Sequence, residues 1–304
     1  MSKLFRKREF NINFMGQAKI AYILSAIMLI VSIVSIAVRG LNYGIDFVGG
    51  IQIEASNENT IQLDEVRQKL SFLRDLSLQS VGTDGKGILI QAQPENENPN
   101  VLLTKIKNAL GEGYSYNEVE IVGPAVGAEL KWHSIWASIL ALLAISLYIW
   151  FRFEWPFAIG CLLALVHDMI IVVGFFSLFQ IEFDMVAVAG LLSLAGYDCN
   201  DTIVSYDRMR ENLKKYRKAS VIELLNRSTN ETFSRTILTS LTTLFVVLVL
   251  LFVGGETLKG FSIAMVLGTI FGTYSSIYLA MPVLQYFDLR SVGSTEDITP
   301  DFNK

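Results

Sequence analysis

Two regimes of hydrophobic and polar positions divide this chain of 304 residues. In the first, apolar residues run almost unbroken. A helix needs about 20 of them to cross the hydrocarbon core of a bilayer. Six stretches reach or approach that length: 18–38, 134–151, 156–179, 185–206, 237–253 and 261–283. The two shortest are extended by the interfacial aromatics Trp132 and Trp136 at one and Phe233 at the other. In the second regime, residues 39–131, the pattern breaks into short segments. Residues 51–55 alternate with period two, and 78–81, 87–92 and 116–122 read as further strands. Leu63, Val66, Leu70 and Leu73 lie three and four apart, which predicts an amphipathic helix over 61–76. A second helix is predicted over 101–110, and Thr83-Asp84-Gly85 reads as a turn between the middle strands. The order β-α-β-β-α-β is that of the ferredoxin-like split βαβ unit. The predicted fold is a polytopic α-helical membrane protein with six transmembrane helices. A small ferredoxin-like α+β domain, 39–131, lies between the first two, with tails at 1–17 and 284–304.

Composition sharpens this. The chain is 52% hydrophobic and only 18% charged, against about a quarter charged in soluble domains. Charge is concentrated in 39–131, which has 13 acidic and 8 basic residues among 93. Two Cys and two His exclude a disulfide framework or a Cys/His metal module. Cys161 and Cys199 read as apolar filler. A net charge of −4 gives no electrostatic footprint for nucleic acid. The chain contains no Gly-x-x-x-x-Gly-Lys-Ser/Thr loop and no nucleophilic constellation. No enzyme activity, metal or cofactor is predicted.

Lys and Arg set the orientation. Lys3, Arg6, Lys7, Arg8 and Lys19 precede or open the first span. Arg208, Arg210, Lys214, Lys215, Arg217, Lys218, Arg227 and Arg235 lie between the fourth and fifth. The connection 180–184 has Glu182 and Asp184 and no base. Both termini are therefore predicted in the cytoplasm and 39–131 outside it. Ser35-Ile36-Ala37 loosely suggests a signal-peptide cleavage site, but the apolar run before it is too long, so an uncleaved anchor is predicted.

Ionisable residues inside spans are expensive and mark functional sites. The third span holds His167 and Asp168, the fourth holds Asp198, Asn200 and Asp201, and Arg235 opens the fifth. Asp198 and Asp201 are three apart and share a helical face. A buried carboxyl that meets or loses an Arg partner exchanges a proton, so this set fits a proton-coupled machine. Asp201 reads equally as a polar clasp satisfied by Asn200 or Arg235. His167 reads more simply as a packing residue, and Arg235 as a positive-inside residue. Thr239, Ser240, Thr242 and Thr243 fit either a polar path or helix packing. Gly268 and Gly272 form a small-xxx-small face.

The stretch Gly44-Ile45-Asp46-Phe47-Val48-Gly49-Gly50 resembles the Gly-x-Asp-Phe-x-Gly-Gly signature of the SecD/SecF family. Val122-Gly123-Pro124-Ala125-Val126-Gly127, Leu165-Val166-His167-Asp168 and Gly196-Tyr197-Asp198-Cys199-Asn200-Asp201-Thr202 are similar to further family motifs, in order along nearly the whole chain. The resemblance is to the smaller, SecF-type branch, within the resistance-nodulation-division superfamily. It implies half of a twelve-span assembly with SecD in the bacterial inner membrane. It also implies use of the proton motive force to promote preprotein movement and release on the periplasmic side, with SecYEG, SecA and YajC as further partners. It puts Asp201 on the family's proton-pathway aspartate and Arg235 on its arginine. The chain departs from the family where Asp198 replaces a small Ser. An exporter half for lipids or small molecules, and a purely structural partner of SecD, are the alternatives.

Overall fold

The computed structural model describes residues 11–73, 76–82, 84–93 and 99–290. Lys3, Arg6, Lys7 and Arg8, Thr83 of the predicted turn, and 291–304 lie outside the described residues. The chain opens with helix α1 (Phe14–Arg39), capped by the Asn13 side chain accepting from Gly16 N. A two-residue strand β1 (Asn42–Tyr43) and a one-turn helix α2 (Ile45–Val48) lead into the sheet domain. That domain contains β2 (Gly50–Asn57), α3 (Leu63–Lys69), β3 (Leu76–Val81), β4 (Gly87–Ala92), α4 (Pro99–Leu110) and β5 (Tyr114–Val122).

The domain's four strands stand in the order β3-β4-β2-β5, every neighbouring pair antiparallel. Period-two alternation decides which face is buried. Ile51, Ile53 and Ala55 of β2, with Ile88 and Ile90 of β4, pack under Val66, Leu70, Leu102 and Ile106 from the two helices. The helix expected over 61–76 ends at Lys69. Leu70 and Leu73 still reach the core from the turn that follows, and Leu76 instead pairs with Ala92 in β3. Apolar spacing of three and four was thus satisfied by a short helix and a turn. In the turn after β3, Asp84 Oδ1 accepts from Lys86 N at 3.1 Å.

The rest is a helical bundle: α5 (Pro124–Arg152), α6 (Trp155–Phe179), strand β6 (Glu182–Phe183), α7 (Met185–Lys215), α8 (Val221–Val253) and α9 (Lys259–Ser275). The last helix continues through a π-turn, Ser276–Ala280, into α10 (Met281–Val283). Among the described residues, five helices are long and apolar enough to cross a membrane: α1, α5, α6, α8 and the last, taken as Lys259–Tyr286. The chain is a multi-pass membrane protein. Helix α7 does not meet that apolar standard, yet it is packed between α8, α9, α6 and α5.

Several helices overrun the apolar stretches that predicted them. Helix α5 begins at Pro124, and α7 and α8 continue past 206 and before 237 into a polar helical hairpin. Ser220 caps α8 by accepting from Glu223 N at 3.2 Å. Glu231 of α8 accepts across the hairpin from Arg208 Nε at 2.6 Å and Asn212 Nδ2 at 2.8 Å, and from Arg227 Nε one turn back on its own helix at 3.1 Å. Asn226 and Asn230 of α8 accept the backbone N–H groups of Met15 and Ile12 at 3.0 and 2.8 Å, tying down the start of α1. Helix α6 meets α1 closely: a Cβ on Gly174 would fall 2.2 Å from Ser32 Cβ.

Candidate functional site

Three segments that are distant in sequence, two of them glycine-bearing, meet where the sheet domain joins the bundle. Strands β1 and β6 pair in parallel, Asn42 with Glu182 and Tyr43 with Phe183, so the segment after α1 is stitched to the α6–α7 connection. Neither two-residue strand carries a periodic signal, and sequence reading missed both. Gly44 N donates to Phe183 O at 3.0 Å. A side chain on Gly44 would meet Glu182 Oε1 at 2.9 Å. Asp46 Oδ2 accepts from Met185 N at 2.9 Å, and Asp184 Oδ1 accepts from Ala187 N at 2.6 Å. Two carboxylates thus occupy the N-terminus of α7, where the helix dipole favours negative charge. Phe47 stacks on Phe183 with ring centroids 6.1 Å apart. Gly49 has φ +80°, and a Cβ there would lie 2.8 Å from the Pro124 backbone. On Gly50 it would lie 2.9 Å from Ala92 O, and on Gly127 3.0 Å from Gly49 N. Gly123 and Pro124 start α5, with Pro in the first turn, where it needs no hydrogen-bond partner.

Above this junction is a cavity of about 630 Å³ lined by Asp46, Glu120, Glu182, Asp184, Glu256 and Lys259, among others. It lies away from the buried carboxyls of α6 and α7. Burial pushes Asp184 up to about 6, against the hydrogen bond from Ala187 N, with Glu182 and Asp46 adding repulsion. Burial likewise raises Glu182, opposed by the amide of Gln91, which reaches its two oxygens at 2.8 and 2.9 Å. A carboxyl whose folded value is raised binds more protons folded than unfolded, so stability falls as pH rises, here between about pH 4 and about pH 6. Asn caps as well as Asp. Asp184→Asn is therefore expected to flatten this slope and to stabilise the protein near neutral pH by on the order of 2 kcal/mol. Thermal unfolding of the purified protein at both ends of that range checks it.

Deeper in the bundle, Asp201 of α7 is 4% exposed. Its oxygens accept from Thr239 Oγ1 at 3.2 Å and Ser240 Oγ at 3.4 Å, both on α8. Ser240 in turn accepts from Thr273 Oγ1 of α9 at 2.7 Å. Hydroxyls thus make the clasp that sequence reading assigned to Asn200 or Arg235. Asn200 is exposed on α7, away from Asp201. Arg235 is exposed on α8, one turn before Thr239, and its charge acts on Asp201 through space. Among the described residues no carboxylate lies within ion-pair distance of Arg235.

Asp198 points the other way, toward the last helix. Its Oδ1 accepts from Ser276 Oγ at 3.2 Å, and a Cβ on Gly272 would meet that oxygen at 2.6 Å. Gly268 makes similar room for Leu194. The pair of glycines therefore brings α9 against α7. His167 Nδ1 is 2.8 Å from Asp168 Oδ1, and Asp168 Oδ2 accepts from Ser275 Oγ at 2.5 Å. Ser275, Ser276 and Thr273 went unnoticed in the sequence because isolated hydroxyls in apolar helices are common. Among the described residues no group of three His, Cys, Asp or Glu is placed to hold a metal ion.

Residues 102–290 match the family described as protein export membrane protein SecD/SecF, C-terminal, and residues 34–56 match the SecD/SecF GG motif. The protein translocase subunit SecF of Pseudomonas aeruginosa is 43% identical over 296 residues, covering 95% of this chain and 94% of the relative. The chain belongs to the SecF family. The SecF of Rickettsia prowazekii is 39% identical over 293 residues, covering 94% of each chain. The crystal structure of SecDF from Thermus, a translocon-associated membrane protein, superposes with TM-score 0.79 at 35% identity. The alignment covers 90% of this chain but only 38% of SecDF. SecDF in its super-membrane-facing form gives TM-score 0.67 at 34% identity, covering 94% of this chain and 40% of SecDF. The Gly-Gly of the SecF-family motif is Gly49-Gly50, the pair that lets the chain turn between α2 and β2 beside Pro124.

Proposed function

We propose that this chain is the SecF-type accessory subunit of the Sec preprotein translocase, which with SecD uses the proton motive force to promote preprotein movement and release on the periplasmic side. The observation that carries the proton reading is Asp201, a buried carboxyl held only by hydroxyls from the neighbouring helix, with the Arg235 charge in reach on that same helix. A membrane-buried carboxyl without a fixed counter-ion exchanges its proton as a cation approaches or withdraws. Asp201 carries the coupling proton and Arg235 gates it. His167, Asp168 and Asp198 lie beside this path, and Asn200 lies off it.

In this reading α7 is a sixth span, crossing in spite of its carboxyls because other helices surround it. Residues 1–17 and 284–304 are cytoplasmic tails, and 39–131 form a ferredoxin-like periplasmic domain in the inner-membrane protein. The antiparallel β3-β4-β2-β5 order supports that module. SecD completes a twelve-helix assembly beside SecYEG, SecA and YajC.

The test is preprotein release from vesicles holding this chain with SecD and the translocase, with and without a proton gradient. Arg235→Ala is expected to lose the gradient-dependent part, and Arg235→Lys to keep some of it as a point charge. Full activity in Arg235→Ala, with loss only on deleting 39–131, favours the purely structural role instead.

A further inference from the structure

One turn from Asp201, three helices bury a further pair of carboxyls. Asp168 of α6 is 1% exposed and Asp198 of α7 is 2% exposed. Their carboxyl groups lie within hydrogen-bond reach of each other. Each is anchored from outside the pair: Asp168 by His167 Nδ1 and Ser275 Oγ, Asp198 by Ser276 Oγ, which also pairs with Thr202 Oγ1 at 2.8 Å. Asp198 Oδ2 is fully buried and no N–H or O–H donor reaches it. Apart from the imidazole of His167, the remaining groups around it bring no cation. Helix α6 offers His167 and Cys161, α7 offers Cys199, Asp201 and Tyr206, and the last helix offers Ser275, Ser276 and Tyr274, which stacks on His167. Among the described residues, the one ion-pair contact to either carboxyl comes from His167.

Two ionised carboxylates are acceptors only. In contact, dry and without a fixed cation, they repel, and the orphaned Asp198 oxygen has nothing to accept. One proton between them removes both faults at once. We infer that Asp168 and Asp198 form a proton-binding site separate from Asp201, in which the two carboxyls share a single proton. The proton forms an O–H bond on one carboxyl and is accepted by the other. Nε2 of His167 is buried with no acceptor to take a proton from it, which fits a neutral imidazole that donates Nδ1–H to Asp168 in this arrangement.

The fold gives this site a mechanical attachment. Ser275 and Ser276, which hold the two carboxyls, sit where the last helix passes into its π-turn, Ser276–Ala280. Such turns insert one extra residue and recur at functional sites. Removing the shared proton leaves two buried charges on α6 and α7, so the contact between these helices and the π-turn is coupled to the proton's presence. The inference extends the proton-coupled reading above, but it rests on this geometry and is tested apart from it.

The test is infrared spectroscopy of the complete complex with SecD in lipid at neutral pH, following the C=O band of protonated carboxyls and its shift in D2O. Comparing wild type with each variant cancels the carboxyls of SecD. In Asp198→Asn the new amide N–H supplies the donor that the proton supplied, so Asp168 ionises and one carboxyl's share of the band is lost. Asp168→Asn is expected to do the same by symmetry, and the amides keep both variants folded. Asp198→Ser, which restores the residue type that the family resemblance implies, is the second check and also loses that share. Asp201→Asn is expected to keep the pair's share while losing gradient-driven release. An unchanged band in both Asp198 variants overturns the shared proton, whatever happens at Asp201. Normal release in Asp201→Asn overturns the coupling reading and leaves the pair standing.

Discussion

Asp201→Asn is expected to abolish gradient-driven stimulation of export while the protein still assembles with SecD. Asn matches Asp in size, and its amide fits the same hydroxyls, Thr239 Oγ1 and Ser240 Oγ, which rotate to donate or accept. Packing around α7 is therefore retained. What is lost is the charge that a proton switches off. One charge moved across 100 mV is worth about 2.3 kcal/mol, which biases a two-state packing equilibrium by more than tenfold. Without it the bundle keeps one packing and the gradient has nothing to act on. Asp201→Glu restores the carboxyl at the cost of an extra methylene among buried groups, and is expected to recover part of the activity. The measurement is release per vesicle with and without the gradient, normalised to assembled complex.

The second large effect is expected at the glycine junction. Gly49→Ala forces a side chain into φ +80° and pushes its Cβ to 2.8 Å from the backbone of Pro124. A left-handed conformation costs a non-glycine residue about 1–2 kcal/mol, and overpacking against backbone about 1–3 more. Together these take a large part of a typical total stability of about 5–15 kcal/mol. Gly123→Ala is the matched control. That glycine belongs to the family signature too, but its φ is −73° and a Cβ would meet nothing within 4 Å. Gly123→Ala is expected to be near neutral, and Gly49→Ala to lower the melting temperature sharply and reduce the amount of complex in the membrane. Equal effects at both positions contradict the steric account of the motif.

The fold was legible where physics acts over many residues. Long apolar runs marked the five helices that, among the described residues, meet the standard for crossing a membrane; period-two alternation marked β2, and short apolar segments marked the other three strands of the sheet domain. Helix α7 shows where such a signal thins. Its carboxyls dilute the apolar run, and only its neighbours α6, α8 and α9 reveal how it is enclosed. The polar hairpin of α7 and α8 was legible as charge but not as helix, because its many charged residues mask the few apolar ones it buries, Met209, Leu224 and Leu225, to whose packing Glu231 and its three donors add. The site was half legible. Asp168, Asp198 and Asp201 stand out because carboxyls are rare in spans. Which neighbouring helix each of them meets depends on Ser240 on one helix and Ser275 and Ser276 on another. Asn200 lies beside Asp201 in sequence and points away, since neighbours on a helix are about 100° apart.

Protons crossing the membrane through Asp201 are proposed to drive preprotein movement. Proton entry measured with a pH-sensitive dye, in sealed vesicles carrying this chain, SecD and the translocase, tests it most directly. An imposed gradient is expected to drive entry that rises while a preprotein is in transit, and Asp201→Asn to remove the rise. Equal, preprotein-dependent entry in wild type and Asp201→Asn contradicts it.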